Sequence, residues 1–318
     1  MSESSEPASE EDNRTCRWTN QATALAEFAR FTGKTQSAQH IKPLHWYVAC
    51  RLVIEGGFHP DDITPRPPFI VRKGKGKGSL HLVHAPESAG HGERTVLGGL
   101  KTKNVDVVVT RSGIGPVLAV SCKGVTGAFR NLTNRMEETI GECTNLHITY
   151  PALALGYFVI IRANKKIDSA LSGEAVEGAE PAKVLAANDL ALAEGGEPVM
   201  GMIRFHNALR ELAGRRGIRD DVSGYEAVAM TMVDMTDAAA GAILETYPPV
   251  DSALRLERFF DTLYLRYDER FVFSAPDLNT VTRRLEWAPD SPAFVGENAL
   301  PGLDYEPRLY GDPAEAED

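Results

Sequence analysis

The sequence predicts an α/β fold, a mixed β-sheet flanked by helices, on three observations. Apolar, β-branched runs at residues 105–109, 117–122, 157–161 and 227–233 have the length and composition of buried strands. The first two runs are joined by Arg111-Ser112-Gly113-Ile114-Gly115-Pro116, a turn signal that makes them a hairpin. Between the second and third runs lies a polar, helix-prone segment at about 131–146. Strand 117–122, this helix and strand 156–162 therefore form a βαβ unit with a right-handed crossover.

Taken in order, Thr19 or Asn20 caps a first helix that carries Ala22, Leu25, Phe28 and Ala29 on one face and stops at Gly33. A second helix starts near Pro43 and ends at Gly56-Gly57; it is apolar nearly all round, which places it deep in the fold. Prolines at 60, 65, 67 and 68 make an irregular link into an edge strand near Phe69. The following Lys73-Gly74-Lys75-Gly76-Lys77-Gly78-Ser79 is not a P-loop, because Lys77 is followed by Gly. It reads as a loop of three ammonium groups suited to phosphate contacts. His81, His84 and His91 fit no tight zinc spacing. After the βαβ unit, residues 164–199 read as a mobile insertion rich in Ala, Glu and Gly. Helices at 202–216 and 253–267 bracket the strand at 227–233, with Arg204, Arg210, Arg215 and Arg216 on the polar sides of the first and Leu265 turned inward on the second.

A chain of 318 residues with 43% hydrophobic and 25% charged content has the make-up of a globular protein and room for a large core. No apolar run approaches the roughly 20 residues that span a membrane, and Met1–Asp12 lacks the features of a signal peptide. Cys16, Cys50, Cys122 and Cys143 share no paired spacing, so reduced thiols are expected rather than a disulfide frame or zinc site. The expected organisation is a disordered acidic tail over 1–15, one domain over 16–300 and an acidic tail over 301–318.

A net charge of −10 argues against nucleic acid until it is located. Five acids lie within residues 1–12 and four within 312–318, with no base in either stretch, which leaves −1 for the body. Residues 66–103 hold eight bases against two acids, a basic patch directly ahead of the hairpin and compatible with a nucleic-acid partner.

Within the hairpin, alternation puts Ser121 and Lys123 on one face of the strand and Cys122 on the other. An Asp106 opposite the end of a strand that closes in Lys123 is an unusual choice for a plain core, where either charge alone costs several kcal/mol. The order Asp106…Ser121-Cys122-Lys123…Glu137 resembles the PD-(D/E)XK nucleases, in which an Asp on one hairpin strand and an acid-x-Lys on the next gather a divalent metal. It resembles one branch of these, the type II restriction endonucleases that include enzymes cutting at CCGG or CCWGG cores. There Ser/Thr-x-Lys replaces the acid-x-Lys, and a Glu on the following helix returns the carboxylate. Here thirteen residues lie between Lys123 and Glu137. The resemblance covers about forty residues directly, and residues 40–162 in element order.

The resemblance implies a restriction-endonuclease-like fold and a Mg²⁺-dependent DNA endonuclease, with Mn²⁺ able to substitute. Asp106, Glu137 and the backbone carbonyl of Cys122 would hold the metal, with the first turns of the helix near the strand end that carries Lys123. Glu138 is rotated about 100° from Glu137 and cannot face the metal equally. Lys123 would stabilise the pentavalent phosphate or orient the attacking water, and Ser121 would leave room for Glu137. Glu55, at the end of the second helix, is a candidate further acid toward the metal. Lys73, Lys75, Lys77, Arg130 and Arg135 are the expected DNA contacts. A homodimer is implied because a double-strand cut needs two active sites, as are a prokaryotic cytoplasm and a DNA methyltransferase encoded nearby. Val105 stands where the family name has Pro, and only Arg130 and Arg135 lie where CCGG cutters carry an Arg/Asp-rich reading segment, so catalysis is implied without CCGG recognition. The rival readings are a modification-dependent or repair nuclease, and a non-catalytic DNA-binding or scaffold protein of the same fold.

Overall fold

The computed structural model describes residues 15–33, 39–74, 78–127, 132–165, 189–236 and 238–311. Helices α1 (Gln21–Arg30) and α2 (Lys42–Ile54) come first, followed by the short β1 (Ile63–Thr64). Two ribbons follow, β2 (Phe69–Lys73) with β3 (Leu80–His84), and β4 (Arg94–Leu97) with β5 (Thr102–Val105). The hairpin of β6 (Val107–Arg111) and β7 (Gly115–Val125) leads into α3 (Leu132–Thr149) and β8 (Ala154–Arg162). Then come α4 (Met200–Leu212), β9 (Ala227–Val233), α5 (Phe259–Asp268) and α6 (Asn279–Thr282).

The central sheet has the order β1-β6-β7-β8-β9. Its first three strands are antiparallel, and β7, β8 and β9 are parallel, so the sheet is mixed and the α/β class holds. Both faces are covered. Leu118, Val120, Phe158 and Ile160 pack with residues of α1, α2 and α5 on one side, while Ala119, Val159 and Ile161 pack with α3 and α4 on the other. Strands buried on both faces select apolar residues at consecutive positions, which is why they read as runs rather than alternations. The hairpin turns on Gly113 (φ 78°) and Gly115 (φ 103°), left-handed positions where a side chain would be strained.

Every residue of α2 except Lys42 and Arg51 is buried, as its sequence predicts. It stops where Gly57 takes φ 66°, with the Leu285 carbonyl 2.1 Å from the place a Cβ would occupy. Asn20 caps α1 by accepting from the Thr23 amide at 2.8 Å.

Four expectations need correction. Ala22 is exposed, and Ala24 joins Leu25, Phe28 and Ala29 on the buried face of α1. The helix expected from 253 begins at Phe259 after a 3-10 turn, and this shift of phase leaves Leu265 half-exposed. The helix expected to 216 ends at Leu212, and Arg215 lies beyond it, buried against Glu226. Residues 301–311 are not tail-like: Trp18 donates to the Pro301 carbonyl, and the Asp304 carboxylate accepts from the first amides of α1. The acidic ends at 1–14 and 312–318, and most of the expected insertion (166–188), lie outside the described residues. Among the described residues no helix is long and apolar enough to cross a membrane.

Candidate active site

Asp106 sits at the bend where the chain leaves the β4–β5 ribbon and enters the central sheet. Because Val107 pairs with Val120, the next step of the register brings Asp106 opposite Ser121. The ladder does not continue through backbone groups there. Instead the Cys122 amide donates to the Asp106 carboxylate at 2.8 Å, with Ser121 Oγ and Lys123 Nζ each 3.5 Å from the same oxygen. In a strand a residue's N–H and C=O project to the same side, so the Cys122 carbonyl also leans toward this bend.

Lys123 bridges two carboxylates. Beyond Asp106 it approaches Glu142 of α3 at 3.8 Å, and Glu142, with its side chain 4% exposed, also takes Lys103 of β5 at 3.1 Å. Burial works against the Lys123 charge, but Asp106 and Glu142 outweigh it and hold the ammonium protonated far above neutrality. Burial likewise opposes ionisation of Asp106, yet His45 in its protonated form, populated only in acid, together with Lys123 and the Cys122 amide keeps its carboxyl below the usual range. Burial pushes the Cys122 thiol up, so this sulfur is a neutral thiol.

His45 of α2 completes the surroundings of Asp106. Its Nε2 is 3.9 Å from Asp106 Oδ1, is buried, and has no hydrogen-bond partner. Burial lowers its pKa to about 4 despite the neighbouring carboxylate, so the imidazole is neutral at pH 7 with a lone pair to offer. Glu93, exposed just before β4, is the third member: one donor atom each from His45, Glu93 and Asp106 lies within 4.8 Å of the others. Three metal-type donors, one of them an orphaned imidazole nitrogen, fit a divalent ion.

A cavity of about 580 Å³ opens beside Lys123. Its cations are Lys101, Lys103, Lys123 and Arg135, and Tyr157 and Glu142 also line it. Helix α3 fixes the turn that carries Lys101: Asn145 Oδ1 accepts from the Leu100 and Lys101 amides, and Asn145 Nδ2 donates to the Lys101 carbonyl. Gly98 permits this clamp, since a Cβ there would fall 2.1 Å from Asn145 Nδ2.

The structure thus brings together Asp106, Ser121, Cys122 and Lys123. Glu137 lines the same cavity but is exposed, and the helix acid that reaches Lys123 is Glu142. Strand β7 runs on to Val125, so the start of α3 lies past Lys123 and the third turn, about 15 Å along the axis, comes to meet it. Glu55 is not at this site: Arg51 grips it at 2.6 and 2.7 Å, and Tyr264 donates to it at 3.0 Å. The α2 residue beside Asp106 is His45, about three turns earlier. Lys73 is at the exposed end of β2, and Lys75, Lys77 and Arg130 lie outside the described residues. Sequence reasoning missed His45, Glu93, Lys103 and Glu142. The signals for two of them were present, a polar residue amid the apolar run Pro43–Cys50 of α2 and an acid flanking the apolar Cys143 and Leu146. Nothing local marks Glu93.

Neither a known protein family, nor a curated protein, nor a solved structure matches the chain.

Proposed function

We propose that this protein is a metal-dependent DNA endonuclease of the PD-(D/E)XK kind. The observation that carries this reading is the Lys123 ammonium 3.5 Å from an ionised Asp106 at the end of a hairpin, with two further metal-type donors beside that carboxylate. Phosphodiester hydrolysis needs charge neutralised on the phosphate, a water delivered in line and the leaving oxygen helped away. His45, Glu93 and Asp106 would hold a divalent ion, which would supply Lewis-acid charge neutralisation and activate the attacking water.

The chain's own residues do the rest. Lys123 keeps its proton and presents a compact ammonium to a phosphate oxygen from a place fixed by two carboxylates. Glu142 is too buried to swing into solvent, so it holds Lys123 and Lys103 in register. Lys101, Lys103 and Arg135 are the cations that backbone phosphates would meet on a wall that also carries Glu137, Glu138 and Glu142, contacts that position rather than specify. A double-strand cut engages two copies of the chain. A restriction role in a prokaryotic cytoplasm, beside a cognate methyltransferase, is the setting this reading implies.

The test is incubation of the purified chain with methylated and unmethylated DNA in Mg²⁺, Mn²⁺ or EDTA. Cleavage in a divalent metal and none in EDTA is expected. Cutting confined to methylated DNA would assign the modification-dependent branch. A folded chain that binds duplex DNA but leaves every substrate intact in both metals would overturn catalysis in favour of a DNA-binding protein.

A further inference from the structure

We infer that the metal site is an imidazole-containing one, held by His45, Glu93 and Asp106, and that it selects a first-row transition ion such as Mn²⁺ over Mg²⁺. This deepens the nuclease reading by naming its ion, and it is tested without DNA.

Two independent observations point to a ligand. The first is the convergence of three donors from distant parts of the chain: α2, the loop before β4 and the bend before β6. The second is the state of His45. Its side chain is 5% exposed, yet Nε2 is directed at Asp106 Oδ1 from 3.9 Å, too far for a hydrogen bond, and has no other partner. Buried polar atoms in folded proteins are nearly always satisfied, by protein, by ordered water or by an ion, and this unpaired nitrogen is the one that faces two carboxylates.

Distance supports the assignment. Two donors bound about 2.1 Å from one ion stand at most about 4.2 Å apart. His45 Nε2 and Asp106 Oδ1 already meet that limit, and the three donors lie within 4.8 Å of one another, with Glu93 the exposed member whose side chain can close in. His45 and Asp106 are thus the preformed half of the site and Glu93 the closing half. Donor chemistry then sets the ion. Mg²⁺ takes oxygen ligands and gives up its waters reluctantly, whereas first-row transition ions accept imidazole nitrogen; Mn²⁺ shares the liking of Mg²⁺ for carboxylates, so the His45 nitrogen is the donor that separates the two.

The experiment titrates the full-length chain with Mn²⁺ and with Mg²⁺ by calorimetry, following free Mn²⁺ by electron paramagnetic resonance, and repeats this on folded Glu93→Ala and His45→Gln. Binding of one Mn²⁺ per chain, at least about tenfold tighter than Mg²⁺, is expected. Glu93→Ala, a surface change that leaves packing intact, should weaken Mn²⁺ binding about tenfold or more. His45→Gln, which offers an oxygen in place of the nitrogen, should erase the preference for Mn²⁺. Equal affinity of the wild type for the two ions, no Mn²⁺ binding, or Glu93→Ala binding like wild type would overturn the inference. Cleavage separates it from the nuclease reading: tight Mn²⁺ binding without DNA cutting leaves the ion site standing and sinks the nuclease. Mg²⁺-driven cutting indifferent to His45→Gln does the reverse.

Discussion

Lys123 is held from two sides by carboxylates of unequal freedom. Asp106 is the candidate metal ligand, and Glu142 is the buried one that also anchors Lys103. Removing the Glu142 charge leaves Lys103 and Lys123 facing each other with no counter-charge between them. Glu142→Gln is therefore expected to lower kcat about 10- to 100-fold with little change in KM for DNA, while Mn²⁺ binding at His45, Glu93 and Asp106 persists. Glu137 is exposed in the same cavity, so Glu137→Ala should cost less than about fivefold. Steady-state cleavage kinetics of the two variants decide between the acids. If Glu137→Ala abolishes cutting while Glu142→Gln behaves like wild type, the spacing-based assignment of Glu137 is restored and the geometric one fails.

At the scale of elements, the β4–β5 ribbon supplies Lys101 and Lys103 to the cavity, and α3 faces them with Arg135, Glu137, Glu138 and Glu142. Asn145 locks the turn before β5, which directs Lys101 and Lys103 into the cavity that Lys123 borders. Replacing both lysines by Ala should reduce the slope of log K against log salt for duplex DNA by about 0.9 for each phosphate that is no longer neutralised, with the cleaved sequence unchanged. An unaltered slope would mean that the ribbon does not meet DNA. The strands of this region were legible because burial on both faces wrote continuous β-branched runs, and the hairpin because its turn requires glycine at 113 and 115. The phase of α3 was not legible. Residues 137 and 142 differ by about 140° around a helix, so choosing between them depends on where the loop after β7 sets the helix down. Likewise no local pattern brings His45 to Asp106; a buried helix carries no polar stripe from which to read which neighbour each residue meets.

For the whole molecule, a second buried charge cluster lies where β8 and β9 begin and joins parts far apart in sequence. Glu226 is fully buried with Arg215 at 2.6 Å, Arg270 at 2.7 Å and His147 at 3.5 Å, and it accepts from the Leu155 amide. Removing one partner from such a cluster costs about 3–5 kcal/mol, because the remaining charges stay buried. Burial opposes ionisation of Glu226, yet His147, Arg270 and the Leu155 amide hold its carboxyl below the ordinary range. The unfolded chain therefore binds the proton first as pH falls. The stabilisation is complete above about pH 4.3 and is lost as pH drops through the lower folded value. Urea midpoints should hold from pH 7 to 5 and decline below about pH 4, while Glu226→Gln lowers the neutral-pH midpoint and flattens that decline; a variant matching wild type would mean that the cluster is idle. Whether the Asp106–Lys123 pair is chemistry or structure is decided by nicking of supercoiled plasmid by wild type and by Asp106→Asn, with DNA saturating both. The wild type is expected to cut in Mn²⁺ or Mg²⁺, and the folded, DNA-bound Asp106→Asn to be slower by at least about 10³-fold. Equal cutting by the two proteins, or DNA binding without cutting by either, would contradict a nuclease centre at Asp106.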